Sequence, residues 1–234
     1  MIVREGWPFI LIGSFVTVAL VWVAVKWDYW PAFASGTVLA VLTLFVVFFF
    51  RDPERTIIDE PNILLSAADG RVVAIDTIQS HPFLGSEAVR VSVFLSVFDV
   101  HVNRVPSNGR INYVKYHPGK FFPAFVDKAS DKNERTEIGL TTPSGQRIVF
   151  TQIAGIIARR IVCRLKADDE VVAGDRFGMI RFGSRTDIIV PLDTRLLVKK
   201  GDRVKGGESV IGYLSGKPTE IRPDDSIEES SARL

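Results

Sequence analysis

Two uncharged apolar segments near the start of the chain limit its fold more than any other feature. Residues 9–25 and 31–50 contain no charged side chain, and each is long enough to cross the hydrocarbon core of a bilayer as a helix. Trp7, Tyr29 and Trp30 lie beside these runs, and such rings prefer the membrane–water interface because one end is apolar and the other polar. The pattern predicts an α-helical transmembrane hairpin over residues 1–51.

Two other interpretations of these segments were weighed. A cleaved signal peptide would explain the first run but not the second. A helical hairpin buried in a soluble core would need a polar face, whereas residues 45–50 are apolar on every side. Arg4 and Arg51 flank the outer ends of the hairpin, while Lys26 is the only basic residue of the connector. This asymmetry predicts that both ends, and the domain that follows, lie on the cytoplasmic side of the cell membrane.

Charge and cysteine content exclude several classes of protein. The 234 residues carry a net charge of +2, without the clustered basic face of a nucleic-acid-binding protein, so no nucleic-acid partner is expected. The single cysteine, Cys163, excludes a disulfide framework and a cysteine-rich zinc site. It lies in an apolar run and is interpreted as a small buried side chain. No metal ligand set is predicted.

After the hairpin the pattern changes to short apolar runs separated by turn residues. Valine and isoleucine dominate residues 72–75, 89–98, 147–153, 157–163 and 187–190, and glycine, proline, asparagine and aspartate separate them. We predict a mainly β domain over residues 52–216. The polar stretch 217–234, with its prolines and acidic residues, is predicted to be a disordered tail.

The pattern Asp-x-Val-x-x-Gly-acid occurs twice, at residues 169–175 and 202–208. Each glycine permits a tight turn that other residues resist. Two such hairpins resemble the biotinyl and lipoyl carrier domains, and this resemblance implies a β-sandwich with a pseudo-twofold hairpin repeat. Carrier domains hold their cofactor on a lysine at a hairpin tip. Between these repeats the chain has Gly183 and Ser184 instead, so the resemblance extends to the scaffold and not to the carrier chemistry.

The Gly183-Ser184 pair suits an internal N→O acyl shift. The serine hydroxyl can attack the glycine carbonyl because glycine has no side chain to obstruct it, although the hydroxyl needs a nearby base. β-Elimination of the resulting ester leaves dehydroalanine, which hydrolyses to a pyruvoyl group and ammonia. By itself the dipeptide carries little information, since most Gly-Ser pairs are ordinary turns or linkers.

Four segments in order give the pair its context. They are Phe-Phe-Arg-Asp-Pro-Glu-Arg at 49–55, Ala-Ala-Asp-Gly at 67–70, Ser-Val-Phe-Asp-Val-His-Val-Asn-Arg-Val-Pro at 96–106, and Phe-Gly-Met-Ile-Arg-Phe-Gly-Ser-Arg at 177–185. Together they resemble the membrane-exit, Asp-Gly, histidine and cleavage segments of short, archaeal-type phosphatidylserine decarboxylases. The resemblance covers residues 49–215 and implies a proenzyme cut between Gly183 and Ser184, with Ser184 becoming the covalent pyruvoyl cofactor.

The resemblance also implies roles for two other residues. His101 would activate Ser184, and Asp69 would orient and charge His101, in the manner of a catalytic triad. A histidine is the natural proton carrier at neutral pH. Longer relatives have a second histidine where this chain has Arg104. Either His101 serves both self-cleavage and decarboxylation, or another group supplies one of these roles.

The implied function is decarboxylation of phosphatidylserine to phosphatidylethanolamine at the membrane surface. The implied partners are the phospholipid and the membrane, and the two cleavage chains would remain together as a heterodimer whose further assembly stays open. Arg181 and Arg185 either meet the lipid phosphate or are solvated surface charges. Two alternatives remain at this point: an archaetidylserine decarboxylase, and a membrane-tethered carrier-like or adaptor domain that never cleaves.

Overall fold

The computed structural model describes residues 1–122, 132–155, 160–181 and 183–216. The predicted tail at 217–234 therefore lies outside the described residues. The chain forms two compact units. The first comprises Met1–Glu54 and Val97–Val100, and the second comprises Arg55–Ser96 and the chain from His101 onward.

The first unit is built on two helices, α1 (Trp7–Trp27) and α2 (Trp30–Phe49). Asp28 adopts a left-handed conformation with φ of 47°, and its amide donates to the carbonyl of Ala24, which ends α1. A side chain at Gly13 would meet Thr43, and one at Gly36 would approach Leu20, so the two helices run antiparallel and in close contact.

Both helices suit an apolar solvent. Their mean hydropathies are 2.4 and 2.3, and each is long and apolar enough to cross a membrane. The hydroxyls of Thr17, Thr37 and Thr43 each donate to the carbonyl four residues earlier, so these polar groups are satisfied inside the helices. Most of the large apolar side chains of both helices are exposed. The predicted pair of N-terminal apolar helices is confirmed.

The second unit is made of β-strands joined by turns. In chain order the described strands are β1 (Ile63–Leu65), β2 (Gly70–Ile78), β3 (Ala88–Leu95), β4 (Val102–Arg104), β5 (Gly109–His117), β6 (Arg135–Thr141), β7 (Arg147–Ile153), β8 (Ile161–Cys163), β9 (Glu170–Val171), β10 (Arg176–Ile180), β11 (Ser184–Pro191), β12 (Arg195–Leu196), β13 (Arg203–Val204) and β14 (Val210–Tyr213). The prediction of a mainly β domain is confirmed.

The largest sheet has eight antiparallel strands in the order β13-β2-β3-β11-β7-β6-β5-β9 and is curled. Two three-stranded sheets, β1-β14-β12 and β4-β10-β8, complete the unit. Alternate residues of the large sheet face the main core, including Val93 of β3, Ile188 of β11 and Phe150 of β7. A smaller cluster around Val149 and Ile189 covers the opposite face.

β3 is shorter than the apolar run predicts. The strand ends at Leu95, although the run continues to Phe98. Residues Val97–Val100 belong to the first unit, where the ring of Phe98 packs edge-on against Phe45 and its carbonyl accepts a hydrogen bond from Arg51 at 2.7 Å. Aromatic packing in that unit, and not strand pairing, accounts for the apolar residues after Leu95.

The short sequence repeat corresponds to a structural one. β13 pairs with β2 at one edge of the large sheet, and β9 pairs with β5 at the other. The Val72 amide donates to the Asp202 carbonyl, and the Ile111 amide donates to the Asp169 carbonyl, both at 2.9 Å. Each half of the repeat therefore consists of two parts. One is the hairpin that the sequence pattern identified, and the other is the start of the strand with which that hairpin pairs.

Candidate active site

Ser184 and Asp69 lie on opposite sides of one strand end. Ser184 begins β11 and pairs with Leu95, the last residue of β3. On the other side of β3, Arg71 pairs with Phe94, so the Asp69-Gly70 turn flanks the same end. Because neighbouring strands are spaced about 4.8 Å apart, the two segments are separated by about 10 Å. A third group is needed to connect the serine with the aspartate.

His101 comes from the small sheet at this end of the molecule. It directly precedes β4, and its carbonyl accepts a hydrogen bond from the Ile180 amide at 3.3 Å. Ile180 ends β10, the strand that leads toward Gly183. Three residues after His101, the Arg104 amide donates to the carbonyl of Ala67 at 2.9 Å. The histidine segment is thus hydrogen-bonded to the chain on the Ser184 side and to the chain on the Asp69 side.

Ser184 is completely buried. Its hydroxyl has no hydrogen-bond partner among the residues that the structure describes. Gly183 has φ of +60°, a left-handed conformation that glycine adopts at little cost, and nothing lies within 4 Å of where its side chain would be. A buried hydroxyl without a partner costs free energy, so its retention beside an open glycine suggests a chemical role.

The chain matches proteins of a known family over most of its length. The family model for phosphatidylserine decarboxylase matches residues 42–212. The phosphatidylserine decarboxylase proenzyme of Symbiobacterium thermophilum is 47% identical over 214 residues, covering 92% of this chain and 96% of the relative. The chain belongs to the phosphatidylserine decarboxylase family. The resemblance inferred from the four motifs, and with it the prediction of a decarboxylase, is confirmed.

Other relatives carry the same name. The proenzyme of Chlorobium phaeobacteroides is 56% identical over 173 residues, covering 74% of this chain and 80% of the relative. That of Rickettsia typhi is 44% identical over 220 residues, covering 93% of this chain and 92% of the relative. Each match therefore covers at least about four fifths of the relative's own length.

In this member of the family, Asp69 is held by a buried arginine. The Arg55 Nη2 atom lies 2.8 Å from Asp69 Oδ1 and 2.6 Å from Oδ2, and the Gly206 amide donates to Oδ1 at 2.8 Å. Arg55 also reaches Glu208 at 3.3 Å, and only 7% of its side chain is exposed. Arg55 closes the membrane-exit motif, and its pairing with Asp69 and Glu208 depends on how the chain folds and not on a local sequence pattern.

Asn108 occupies the position equivalent to Asp69 in the other half of the repeat. It precedes Gly109 as Asp69 precedes Gly70, and its Oδ1 accepts from the Ala173 amide at 2.7 Å. Asn-Gly-Arg-Ile at 108–111 matches Asp-Gly-Arg-Val at 69–72, a signal that sequence reasoning missed. Since a neutral amide holds the equivalent turn, the turn does not require the negative charge of Asp69.

Arg104 links the two hairpin turns. Its side chain is buried, and Nη1 donates to the Gly174 carbonyl at 2.9 Å. Its Cδ lies close to Gly207, the equivalent of Gly174 in the second repeat. A guanidinium remains protonated at all relevant pH, so Arg104 cannot act as the base.

Arg185 is not the surface charge that one interpretation predicted. It is 1% exposed, and its Nε donates to Asp187 Oδ1 at 2.6 Å while Nη2 donates to Ser92. Along β11, odd-numbered residues face the smaller cluster around Ile189, whereas Ser184 faces the main core. Arg185 therefore points to the opposite face of the sheet from Ser184.

A proline follows each of the other two histidines, so both would be expected to lie in loops. His81 does, and its Nδ1 accepts from the Phe83 amide at 3.2 Å while Nε2 lies 3.8 Å from Glu137 Oε1. His117 instead ends β5, and burial, with the nearby Arg135 and Lys115 charges, lowers its pKa. Burial alone would raise the pKa of Glu137, but its contacts with His81 and with the Tyr113 hydroxyl lower it to about 2.

Within the described ranges, no cluster of histidine, cysteine and acidic side chains has the arrangement of a metal site. Cys163 is half-buried against the main core, and burial raises the pKa of its thiol. A raised pKa disfavours the reactive thiolate, in agreement with a packing role.

Proposed function

We propose that the chain cleaves itself between Gly183 and Ser184, converts Ser184 into a pyruvoyl group and uses it to decarboxylate phosphatidylserine to phosphatidylethanolamine. The observation that carries this proposal is the buried hydroxyl of Ser184, which lacks a partner among the described residues and follows a glycine in a left-handed conformation. Membership of a family whose relatives are named proenzymes supports it.

Self-cleavage requires two rearrangements of the chain. First the Ser184 Oγ attacks the Gly183 carbonyl carbon, the C–N bond breaks, and an ester replaces the amide. A base then removes the Cα proton of residue 184, the Cβ–Oγ bond breaks, and Gly183 leaves with a carboxylate. The dehydroalanine that remains takes up water and releases ammonia, which leaves a ketone at the start of the smaller chain. No oxidant or reductant is required.

His101 is the proposed base for these proton transfers. It is completely buried, and its segment is hydrogen-bonded to Ile180, before Ser184, and to Ala67, before Asp69. Asp69 is proposed to orient His101 and stabilise its protonated form. Arg55 keeps Asp69 in place through contacts with both carboxylate oxygens and thereby limits how the acid can turn.

Ser184 suits conversion to the prosthetic group because its side chain is buried and faces the core side of the sheet. The pyruvoyl group supplies a ketone that condenses with the substrate amine and accepts the electrons released as carbon dioxide leaves. His101 is then placed to return a proton to the substrate carbon. The buried surroundings exclude water from the reacting groups.

The proposed setting is the cell membrane, with residues 1–51 as a spanning hairpin and residues 52–216 as the catalytic domain on the cytoplasmic side. The two helices with largely exposed apolar surfaces support the anchor. An anchored site raises the local concentration of a substrate confined to the bilayer. The two cleavage products would remain together as a heterodimer, because β11 of the smaller chain lies between β3 and β7 of the larger one.

We further propose that the repeated hairpins descend from a scaffold like that of biotinyl and lipoyl carrier domains. Equivalent hydrogen bonds at Asp169 and Asp202, on the two edges of the large sheet, support a pseudo-twofold relation. The non-cleaving adaptor hypothesis is disfavoured by the family assignment. An ether lipid, archaetidylserine, has the same head group, so the choice between lipids is left to the assay.

The test is the intact mass of the purified full-length protein in detergent. We expect two chains, with the smaller one beginning at residue 184 and lacking a free amine. A single uncut chain would overturn the proposal. Ser184→Ala should remain uncut, whereas a Ser184→Ala sample that still splits after residue 183 would indicate a contaminating protease. Release of carbon dioxide from phosphatidylserine and from archaetidylserine, each in mixed micelles, then identifies the lipid.

A further inference from the structure

Ser184 and three other buried polar side chains form a cluster on the core side of the sheet. Gln152 of β7 pairs with Thr186 of β11, and Thr186 lies two residues beyond Ser184 on the same face. Gln152 Nε2 donates to Asn103 Oδ1 at 2.8 Å. All four residues, Asn103, Gln152, Ser184 and Thr186, are at most 1% exposed. This polar cluster adjoins a core that is otherwise built from aliphatic and aromatic side chains.

Each residue of the polar cluster has a side-chain atom with no hydrogen-bond partner among the described residues. These atoms are Asn103 Nδ2, Gln152 Oε1, Ser184 Oγ and Thr186 Oγ1. An unsatisfied buried polar atom costs about 1–3 kcal/mol, so several in one place are not explained by folding stability. They are the groups expected to line a binding site for a polar ligand.

The hydrogen bonds of Gln152 determine the orientation of both side-chain amides in the polar cluster. Gln152 Nε2 also lies 3.2 Å from the Val162 carbonyl, which can only accept, so the nitrogen of the Gln152 amide points there. The atom of Asn103 that faces this nitrogen must then be its oxygen. Asn103 Nδ2 is consequently a free donor, and the Thr186 hydroxyl is a second one.

We infer that Asn103 Nδ2 and Thr186 Oγ1 bind the carboxylate of the substrate's amino-acid head group, and that Gln152 positions Asn103 for this contact. This inference rests on the proposed function. Thr186 is two residues from Ser184, about 6.8 Å along the strand, which is the reach of an amino-acid group attached at residue 184. Two donors suit a carboxylate, which only accepts hydrogen bonds.

The neutrality of these donors fits the reaction. A lysine or arginine would bind the carboxylate tightly in the ground state, and its contribution would be lost as carbon dioxide leaves. An amide and a hydroxyl orient the carboxylate without that penalty on the chemical step. Arg185, the nearest cation along β11, is turned to the opposite face of the sheet and paired with Asp187. The contact therefore contributes to recognition more than to rate.

Thr186→Val tests the inference with little risk to the fold. The valine has the same shape, and no recorded hydrogen bond is lost, because Thr186 Oγ1 has no partner within the described ranges. We expect normal self-cleavage, an unchanged or higher melting temperature, and a KM for phosphatidylserine raised about tenfold with kcat unchanged. Thr186→Ser should restore the KM. Asn103→Leu should raise the KM in the same direction.

A second readout does not depend on turnover. Phosphatidylethanolamine has the amine but not the carboxylate, so its capture on the smaller chain by cyanoborohydride, seen as added mass, should be the same in wild type and Thr186→Val. An unchanged KM in Thr186→Val, or equal losses with both lipids, would overturn the inference. A variant that stays uncut would also overturn it for that residue. If the wild type itself does not cleave, the proposed function fails instead.

Discussion

Asp69 and Asn108 perform the same structural task in the two halves of the sheet, but only Asp69 carries a charge. Each side chain precedes a glycine with a positive φ near 155° and accepts the amide of the facing hairpin turn, from Gly206 and Ala173 respectively. Asp69 therefore has two separate roles, which the amino-acid sequence alone does not distinguish. The carbonyl-like oxygen holds the turn, and the negative charge at residue 69 serves Arg55 and the proposed chemistry.

Asp69→Asn should therefore keep the fold and impair self-cleavage. The amide can still accept from the Gly206 amide, as Asn108 does in the equivalent turn. We expect the fold to persist with a lower melting temperature, because the buried Arg55 loses one of its two acidic partners, and cleavage slowed at least about tenfold, because a protonated His101 would lose its proposed charged partner. Cleavage is followed by gel densitometry after synthesis. Asn108→Asp is the matched control, and cleavage at wild-type rate in Asp69→Asn would contradict the assigned role.

Gly109→Ala should destabilise the domain without touching the proposed chemistry. A side chain there would collide with the backbone carbonyl of Thr141, and φ is +155°. We expect a loss of at least about 2 kcal/mol in the free energy of unfolding, from strain and displaced backbone. Gly201→Ala separates the two effects, because φ is +100° but nothing lies within 4 Å. Gly201→Ala should lower the free energy of unfolding by about 1 kcal/mol. Equal losses in the two variants would show that Gly109→Ala relieves its collision with the Thr141 carbonyl by a small shift of the backbone.

Glu137 should make stability fall in acid. Its pKa in the folded protein is about 2, below the ordinary value of 4.5. The stabilisation is therefore complete above about pH 4.5 and is lost as the pH falls toward 2. Melting temperatures of Glu137→Gln should depend less on pH across this window, since the amide cannot be protonated there. Asp168→Asn removes an exposed acid that pairs with Arg110, and it should leave the profile unchanged.

Arg185→Met should destabilise strongly, because it leaves Asp187 buried without its arginine. Both side chains of the pair are at most 3% exposed. Removing one partner of a buried ion pair costs about 3–5 kcal/mol. The measurement is chemical unfolding in a Ser184→Ala background, so that every variant is the same uncut chain. The double variant Arg185→Met/Asp187→Leu should recover much of the loss, and a single variant as stable as its parent would contradict the pairing.

Elements whose cause is local could be predicted from the amino-acid sequence alone. Two uncharged runs predict two apolar helices, and short runs rich in valine and isoleucine predict strands, because these signals depend on the solvent each face meets. The four motifs at 49–55, 67–70, 96–106 and 177–185, taken in order, were sufficient to recognise the family. The repeat at Asp169 and Asp202 was visible because both copies keep the same turn residues.

Which residues meet across the chain depends on the tertiary structure. Arg55 with Asp69, Asn103 with Gln152, and the equivalence of Asp69 and Asn108 all join segments that are distant in sequence. The tertiary structure also places Arg185 and Ser184 on opposite faces of the sheet. Side chains alternate along β11, and the register of the sheet sets which face is the core. Pairing register and burial arise from the packing of the whole sheet, so no local pattern could have specified them.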